Sequence, residues 1–189
     1  MNDTPTDPPA PDTRQFRDTV GLFATGVTVI LARSGDEAIG ITVNAVSSVS
    51  LDPMLMLFCP GKKSRFASNL DTLAGFSINI LRHDQQALSS WFASGWKEGA
   101  PPPFRLVPGP HAPRLEGCLA SLDCTLQQVI DAGDHWVVIG RVCALHQGIP
   151  PRRPLVFFGG RYRGLDLADS KPAPELNSQG EPAHIYYHD

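Results

Sequence analysis

The chain has 189 residues, 42% of them hydrophobic, and a net charge of −3, which fits one domain with a substantial core. That balance gives no pull toward nucleic acid or an anionic membrane, and there is neither a basic run interleaved with aromatics nor an apolar run of spanning length. Met1 to Pro11 is polar and Pro-rich without an apolar h-region, so it reads as a disordered segment rather than a secretory signal, and a cytoplasmic location is expected.

Asp12 or Thr13 is placed to cap a helix from Thr13 to about Leu22, with Phe16, Val20 and Phe23 recurring at helical spacing before Gly26 breaks the pattern. Val27 to Ala32 reads as a buried strand. Ser34-Gly35-Asp36 is a turn, and Ala38 to Val43 returns as the second strand of a hairpin. Gly40 to Pro53 mixes Thr, Asn and Ser with Val and Ile. That mixture suits an extended segment that packs on one side and offers donors and acceptors on the other; a Ser/Thr-rich strand and turn without a ligand fits the composition as well. Asp52-Pro53 closes it.

Met54 to Cys59 reads as a central strand. Pro60-Gly61-Lys62-Lys63-Ser64 follows, with Ser64 capping a short helix through about Leu70. A glycine, two lysines and a hydroxyl at a helix start favour a phosphate, although solvated loop lysines are commoner. It is not a Walker A loop, since Met56 stands where the leading glycine belongs. Phe76, Ile78 and Ile80 alternate with Ser77 and Asn79 as a half-exposed strand. Asp84 is expected to cap Gln85 to Phe92, with Leu88, Trp91 and Phe92 on one face. Ser94-Gly95-Trp96-Lys97 has the S-x-x-K pattern, but neither S-D-N nor K-T-G accompanies it. Gly95 to Pro113 reads as a long surface excursion, a candidate lid.

From Cys118 to Asp131 the chain alternates cleanly, which predicts a long antiparallel strand with one wet or subunit-facing side. Ala132-Gly133-Asp134 is its turn. His135 to His146, apolar on both faces, reads as a central return strand, and Pro154 to Phe158 as the last strand before Gly159-Gly160 bends the chain. The 4 cysteines, at 59, 118, 124 and 143, lack metal spacing and read as buried free thiols. A Cys118–Cys124 bridge is disfavoured because six residues along a strand span roughly 20 Å. No metal site is expected. Beyond Asp166 the chain reads as a tail, with His184 to His188 a docking segment rather than a metal ligand pair. Hairpin-spaced strands with few short helices predict a mainly antiparallel β-barrel with peripheral helices, one domain over 13–165 between a 1–12 segment and a 166–189 tail. No βαβ alternation or GxGxxG supports a Rossmann domain.

Several separate motifs, in order, resemble the flavin reductase-like family, the small FMN- or FAD-using reductase components of two-component monooxygenases. They are Phe23-Ala24-Thr25-Gly26-Val27-Thr28-Val29, Gly40-Ile41-Thr42-Val43-Asn44-Ala45, Ser48-Val49-Ser50-Leu51-Asp52-Pro53, Gln85 to Ala93, Gly133-Asp134-His135 and Phe157-Phe158-Gly159-Gly160-Arg161-Tyr162. The resemblance runs from about Phe16 to Leu165. It implies an FMN-binding split barrel with short flanking helices, usually a homodimer with flavin near the interface. It also implies hydride transfer from NADH or NADPH to FMN or FAD, reduced flavin passing to a separate monooxygenase.

Carried over by motif, the flavin set is Thr42, Val43, Asn44, Ala45, Val46, Ser48, Val49, Ser50 and Cys59. Thr42 and Asn44 would address the pyrimidine edge, and Ala45 would allow close ring approach. Lys63, Ser64 and Arg65 would hold the flavin phosphate, with Asn69 and Phe92 completing the pocket. His135 is the expected catalytic residue on the nicotinamide side. Phe158, Gly159, Gly160, Arg161 and Tyr162 border the same pocket, where Arg161 or Arg163 would meet a pyrophosphate or 2′-phosphate. Val46 is smaller than the aromatic expected after Asn-Ala, and Lys62-Lys63 leaves open which lysine meets the phosphate. A flavin-binding module without reductase activity and a pyridoxamine-phosphate-oxidase-like enzyme are the competing readings; the intact Gly-Asp-His argues against both.

Overall fold

The computed structural model describes residues 12–94, 104–150 and 153–165. The expectations for Met1 to Pro11, for the first part of the Gly95 to Pro113 excursion and for the tail with His184 and His188 fall outside these residues. The chain opens on α1 (Thr13–Val20). Asp12 is its cap: the carboxylate accepts the Arg14 and Gln15 N–H groups at 2.8 and 2.7 Å, and the Gln15 side chain accepts the Asp12 N–H at 3.3 Å. The helix ends at Val20, short of the expected Leu22. The strands are β1 (Thr25–Gly26), β2 (Thr28–Ser34), β3 (Glu37–Val43), β4 (Val46–Leu51), β5 (Met54–Phe58), β6 (Gly75–Ile80), β7 (Leu106–Val107), β8 (Arg114–Leu115), β9 (Ala120–Ala132), β10 (His135–Gln147), β11 (Leu155–Phe158) and β12 (Arg161–Gly164). A 3-10 turn (Ala67–Thr72) precedes β6, and α2 (Gln86–Ala93) follows it.

All strand pairs are antiparallel. A seven-stranded sheet runs β3-β2-β6-β9-β10-β5-β4, beside a three-stranded sheet β1-β11-β12 and the β7-β8 pair. Backbone bonds from Val27 to Leu155 (3.1 Å), Leu81 to Val27 (3.0 Å) and Leu155 to Leu81 (2.9 Å) stitch the first two together. Register shifts at Ile139/Gly140 and Val142/Ala144 let the long β9-β10 hairpin bend around the core. Among the described residues no helix is long and apolar enough to cross a membrane.

β2 explains the core. Its successive side chains point to opposite faces, and both faces are covered. Ile30 and Ala32 join Phe58, Phe66 and Phe76 on one side, while Val29 and Leu31 join Leu81, Phe92, Leu115 and Leu155 on the other. Gly140 admits the Phe76 ring, since a Cβ there would lie 2.3 Å from its tip.

Several local expectations are corrected. β6 is buried on both faces, not half-exposed, because the 104–118 segment lies over its polar side. There Ser77 donates to the Pro113 carbonyl at 2.6 Å, and Asn79 accepts the Leu115 N–H at 2.9 Å while donating to the Val29 carbonyl at 3.0 Å. The described part of the expected excursion is therefore packed structure, with Ala112 and Leu115 buried. β9 is wet only in its second half: Ser121 and Asp123 are buried. Asp123 faces His146 Nε2 at 2.9 Å and Arg114 Nε at 3.6 Å.

β10 is interior by pairing yet one-sided in burial, with Val138 and Val142 inside and Arg141, Cys143 and Leu145 outside. β5 is likewise flanked by strands on both sides but only half-buried over most of its length. Asp84 does not cap α2; its carboxylate is taken by Arg82, and the helix begins at Gln86. Pro154 to Phe158 is not the last strand, because Gly159 and Gly160, at φ 58° and 73°, turn the chain into β12. The four cysteines are free as expected, but Cys143 is exposed and Cys59 half-buried; burial pushes the Cys124 thiol up to about 12.

Candidate active site

Three distant segments meet at one end of the large sheet. The Asn44-Ala45 crossing leads from β3 into β4, and the Cys59 N–H donates to the Ala45 carbonyl at 3.0 Å, holding the end of β5 against it. The 60–65 loop then lies along the β9-β10 turn: Trp136 N–H donates to the Pro60 carbonyl at 3.0 Å, and Lys62 N–H to the Asp134 carbonyl at 2.9 Å. Gly61 bridges to His135, and a Cβ on Gly61 would sit 3.7 Å from His135 Nε2, so loop backbone and imidazole are close neighbours. Gly133, at φ 68°, supplies the turn.

His135 is about half exposed, with Nδ1 2.7 Å from Asp134 Oδ1. A carboxylate only accepts, so Nδ1 carries the proton and Nε2 faces Gly61. The hydrogen bond from His135 is the main reason the Asp134 carboxyl is held below its ordinary range, with the charges of His135 and Arg17 adding to it.

In the loop, Ser64 Oγ donates to the Gly61 carbonyl at 2.7 Å and accepts the Ala67 N–H at 3.2 Å. The expected helix capped by Ser64 is instead a 3-10 turn over Ala67–Thr72 with Phe66 at its N-cap position, and Ser64 ties together the loop that leads into it. The two lysines divide. Lys62 is held by Asp131 at 2.6 Å and lies 4.7 Å over the Trp136 ring. Lys63 is exposed and forms no ion pair among the described residues. Arg65 reaches Glu37 at 3.2 Å on the surface. Asn69 braces the loop, donating to the Arg65 carbonyl at 2.8 Å and accepting from Ser34 Oγ at 2.7 Å.

The remaining expected residues fall into two groups. Some side chains are already engaged inside the fold. Thr42 Oγ1 donates to the Ser89 carbonyl at 2.7 Å, Tyr162 bonds Ser89 Oγ at 2.8 Å, and Val43 is buried. Phe92 packs on β3 at Gly40, where a Cβ would lie 2.7 Å from its ring. Others stay open. Asn44 is exposed, its carboxamide donating only a 3.3 Å bond to Thr25 Oγ1. Ser48 and Val49 are exposed on β4, whose outer edge is unpaired among the described residues, and the register shifts between Ser48 and Ser50. Val46 is half-buried against the core. Phe158 and Arg161 are exposed.

Asn44, Gly159 and Gly160 share a groove of about 580 Å³ with Thr25, Phe23 and α1. Ser64, Arg65 and Phe92 share a smaller one of about 230 Å³ with Gly40 and Ser94. Sequence reasoning did not assign α1, Thr25, Gly40 or Trp136 to the site. Thr25 lies within a recognised motif, but nothing local marks it as a neighbour of Asn44, which is 19 residues away.

This donor set fits a flavin. A strand at the sheet edge among the described residues and a short polar side chain offer donors to a pyrimidine ring, Ala45 leaves room for a flat face, and Lys63 beside the Ser64-braced loop suits a phosphate. No cluster of metal-ligating residues exists among the described residues.

The flavin reductase like domain profile matches residues 20–166. The chain belongs to this family. It is 37% identical over 167 residues to the reductase subunit HsaB of a flavin-dependent monooxygenase from Rhodococcus jostii, covering 86% of this chain and 83% of that protein. It is 35% identical over 156 residues to the FMN reductase (NADH) SmoA of Agrobacterium fabrum, covering 82% and 87%. Among solved structures, the NADH:FAD oxidoreductase SgcE6 of Streptomyces globisporus, in complex with NAD and FAD fragments, superposes with a TM-score of 0.77 at 32% identity, covering 84% and 96%. The expected antiparallel split-barrel class is the fold of these reductases.

Proposed function

We propose that this chain transfers a hydride from NADH to FMN or FAD and releases reduced flavin to a separate monooxygenase. The observation that carries the reading is the docking of the 60–65 loop on the Gly133-Asp134-His135 turn, which sets a phosphate-suited loop against a nicotinamide-suited imidazole. The relatives named as NADH-dependent reductases and as a monooxygenase subunit support the donor and the partner.

The flavin, when bound, supplies the hydride-accepting chemistry. The chain's own residues bind and orient. Lys63 and the Ser64 turn hold the phosphate, with Arg65 at the rim and Asn69 bracing the loop. Asn44, Ala45 and the β4 backbone through Ser50 meet the ring edge, beside Val46 and Cys59. Thr42, Phe92 and Tyr162 fix α2 and β3 behind them. His135, locked by Asp134 in one tautomer, orients the nicotinamide carboxamide. Phe158, Gly159, Gly160 and Arg161 border the donor side.

The exposed Val49 and Leu51 on β4, the edge strand of the sheet among the described residues, and Met54 beside them at the start of β5 support a homodimer through that edge. Free thiols support a reducing, cytoplasmic setting.

Anaerobic loss of nicotinamide absorbance with NADH or NADPH, on adding FMN or FAD in turn, tests the reading. Flavin-dependent oxidation is expected, and flavin binding without oxidation would favour the binding module. His135→Ala should raise KM for the nicotinamide donor and leave flavin affinity alone; unchanged kinetics would remove His135 from the site.

A further inference from the structure

We propose that Asp131 and Trp136 are positioning residues. They clasp Lys62 and keep the 60–65 loop docked on the β9-β10 hairpin before any ligand arrives, so that the flavin-phosphate side and the nicotinamide side are formed together. This rests on the reading of that loop as the phosphate loop and of His135 as the nicotinamide-side residue.

Strand register builds the clasp. Asp131 and Trp136 are paired directly across the hairpin, and cross-strand partners project to the same face. They present one carboxylate and one aromatic ring. Lys62 Nζ reaches both, 2.6 Å from Asp131 Oδ2 and 4.7 Å from the centre of the Trp136 ring. Trp136 packs in turn against the main core, so the clasp is anchored in the barrel. The Lys62 side chain is 30% exposed, and solvent screens such a pair less than a fully wet one.

Among the described residues, the other bonds from loop to hairpin are backbone: the Lys62 N–H to the Asp134 carbonyl and the Trp136 N–H to the Pro60 carbonyl. The remaining polar side chains of the loop do not reach the hairpin. Arg65 pairs with Glu37, and Ser64 bonds within the loop. Lys62 stands between the two ligand sides. Gly61 before it lies against His135, and Lys63 and Ser64 after it are the phosphate residues. A loop that leaves the hairpin loses both placements at once. Apparent affinity scales with the fraction of molecules in the competent state, so the clasp raises affinity for flavin phosphate and for donor without touching either.

A coupling should therefore emerge when the clasp is cut. In the parent the loop is already docked, and NAD+, which has no hydride to give an oxidised flavin, should leave FMN affinity almost unchanged. In a clasp variant each ligand redocks the loop for the other, and binding becomes cooperative.

The full-length parent, Asp131→Asn and Lys62→Met are titrated with FMN and with riboflavin by flavin fluorescence, with and without NAD+. Both variants should bind FMN about three- to fivefold more weakly and regain most of that loss when NAD+ is added. Riboflavin, which has no phosphate for the loop to meet, should bind all three proteins alike. Asp131→Glu keeps the carboxylate and should stay within about twofold of the parent. Asp131 is largely exposed, so its variants should melt like the parent.

Equal losses for FMN and riboflavin would overturn the proposal, because general loosening of the fold does not distinguish them. An FMN loss that NAD+ fails to reverse would overturn it as well, by assigning Lys62 a direct phosphate contact. So would tighter FMN binding by Asp131→Asn, which would show the freed lysine acting as a phosphate ligand. NADH oxidation by the parent separates this from the reading beneath it. If the parent oxidises NADH with FMN while Asp131→Asn matches it in every titration, the clasp fails and the reductase reading stands. If the parent does not oxidise NADH, the reductase reading falls, and the FMN-against-riboflavin comparison still decides the clasp.

Discussion

Ser77-Ile78-Asn79 in β6 and Asn44 to Ser50 around β4 are built from the same residue types and end in opposite environments. In β6 both polar side chains are fully buried and bonded, to Pro113, to Val29 and to Leu115. Around β4, Asn44, Ser47, Ser48 and Val49 are exposed, and the strand edge is unpaired among the described residues. The first stretch uses its donors and acceptors to fasten the 104–118 segment to the barrel. The second leaves them available to a ligand. A buried polar group must be paired within the chain, so a polar side chain left open at the end of a rigid sheet is where recognition is cheap in folding energy.

Changes in the buried set should therefore cost stability, and changes in the open set should cost binding. The largest loss is expected from Asp123→Ala. It removes a buried carboxylate facing Arg114 and His146 and should cost about 3 kcal/mol by leaving charge uncompensated; urea denaturation checks it, and a near-neutral result would break the contrast at its strongest point. Asn79→Ala, which leaves the Leu115 N–H orphaned, should cost about 2 kcal/mol in the same assay, with FMN affinity of the folded protein unchanged.

Gly40→Val belongs to both sets. Its side chain would collide with Phe92 and Leu31, costing about 1–3 kcal/mol and weakening FMN binding as Phe92 is displaced. Asn44→Ala should change stability by less than about 0.5 kcal/mol yet weaken FMN binding several-fold in a fluorescence titration. Unchanged FMN affinity and turnover would remove Asn44 from the site.

The smallest effect is the pH dependence of the Asp134–His135 contact. Because the Asp134 pKa is lowered in the folded chain, the contact's contribution is fully present above the ordinary aspartate pKa and is lost as pH falls through the lowered value. Melting temperatures of the parent and Asp134→Asn should differ above that range and converge below it. Since Asp134 is fully exposed, the difference should be small.

Much of the architecture was legible because it depends on local pattern. Alternation marked β9, β-branched runs marked β2 and β3, and a Gly-Asp turn marked the β9-β10 hairpin, all at close to their observed bounds. Capping was legible only where no competitor stood nearby. Asp12 caps α1, but Asp84 has Arg82 within reach and is taken by it. Similarly, the Lys62-Lys63 ambiguity could not be resolved from two adjacent lysines; Asp131 and Trp136, brought over by the β9-β10 hairpin, engage Lys62 and leave Lys63 open.

By itself the sequence determined the strand-rich class, the family and the order of the motifs, since hydrophobic period and turn chemistry act over a few residues. Tertiary structure alone decided which polar residues face inward. Whether Ser77 and Asn79 are wet depends on the 104–118 segment folding over them, and whether Asn44 is open depends on β4 remaining an edge. Both are outcomes of long-range packing, which a residue's neighbours in sequence do not encode.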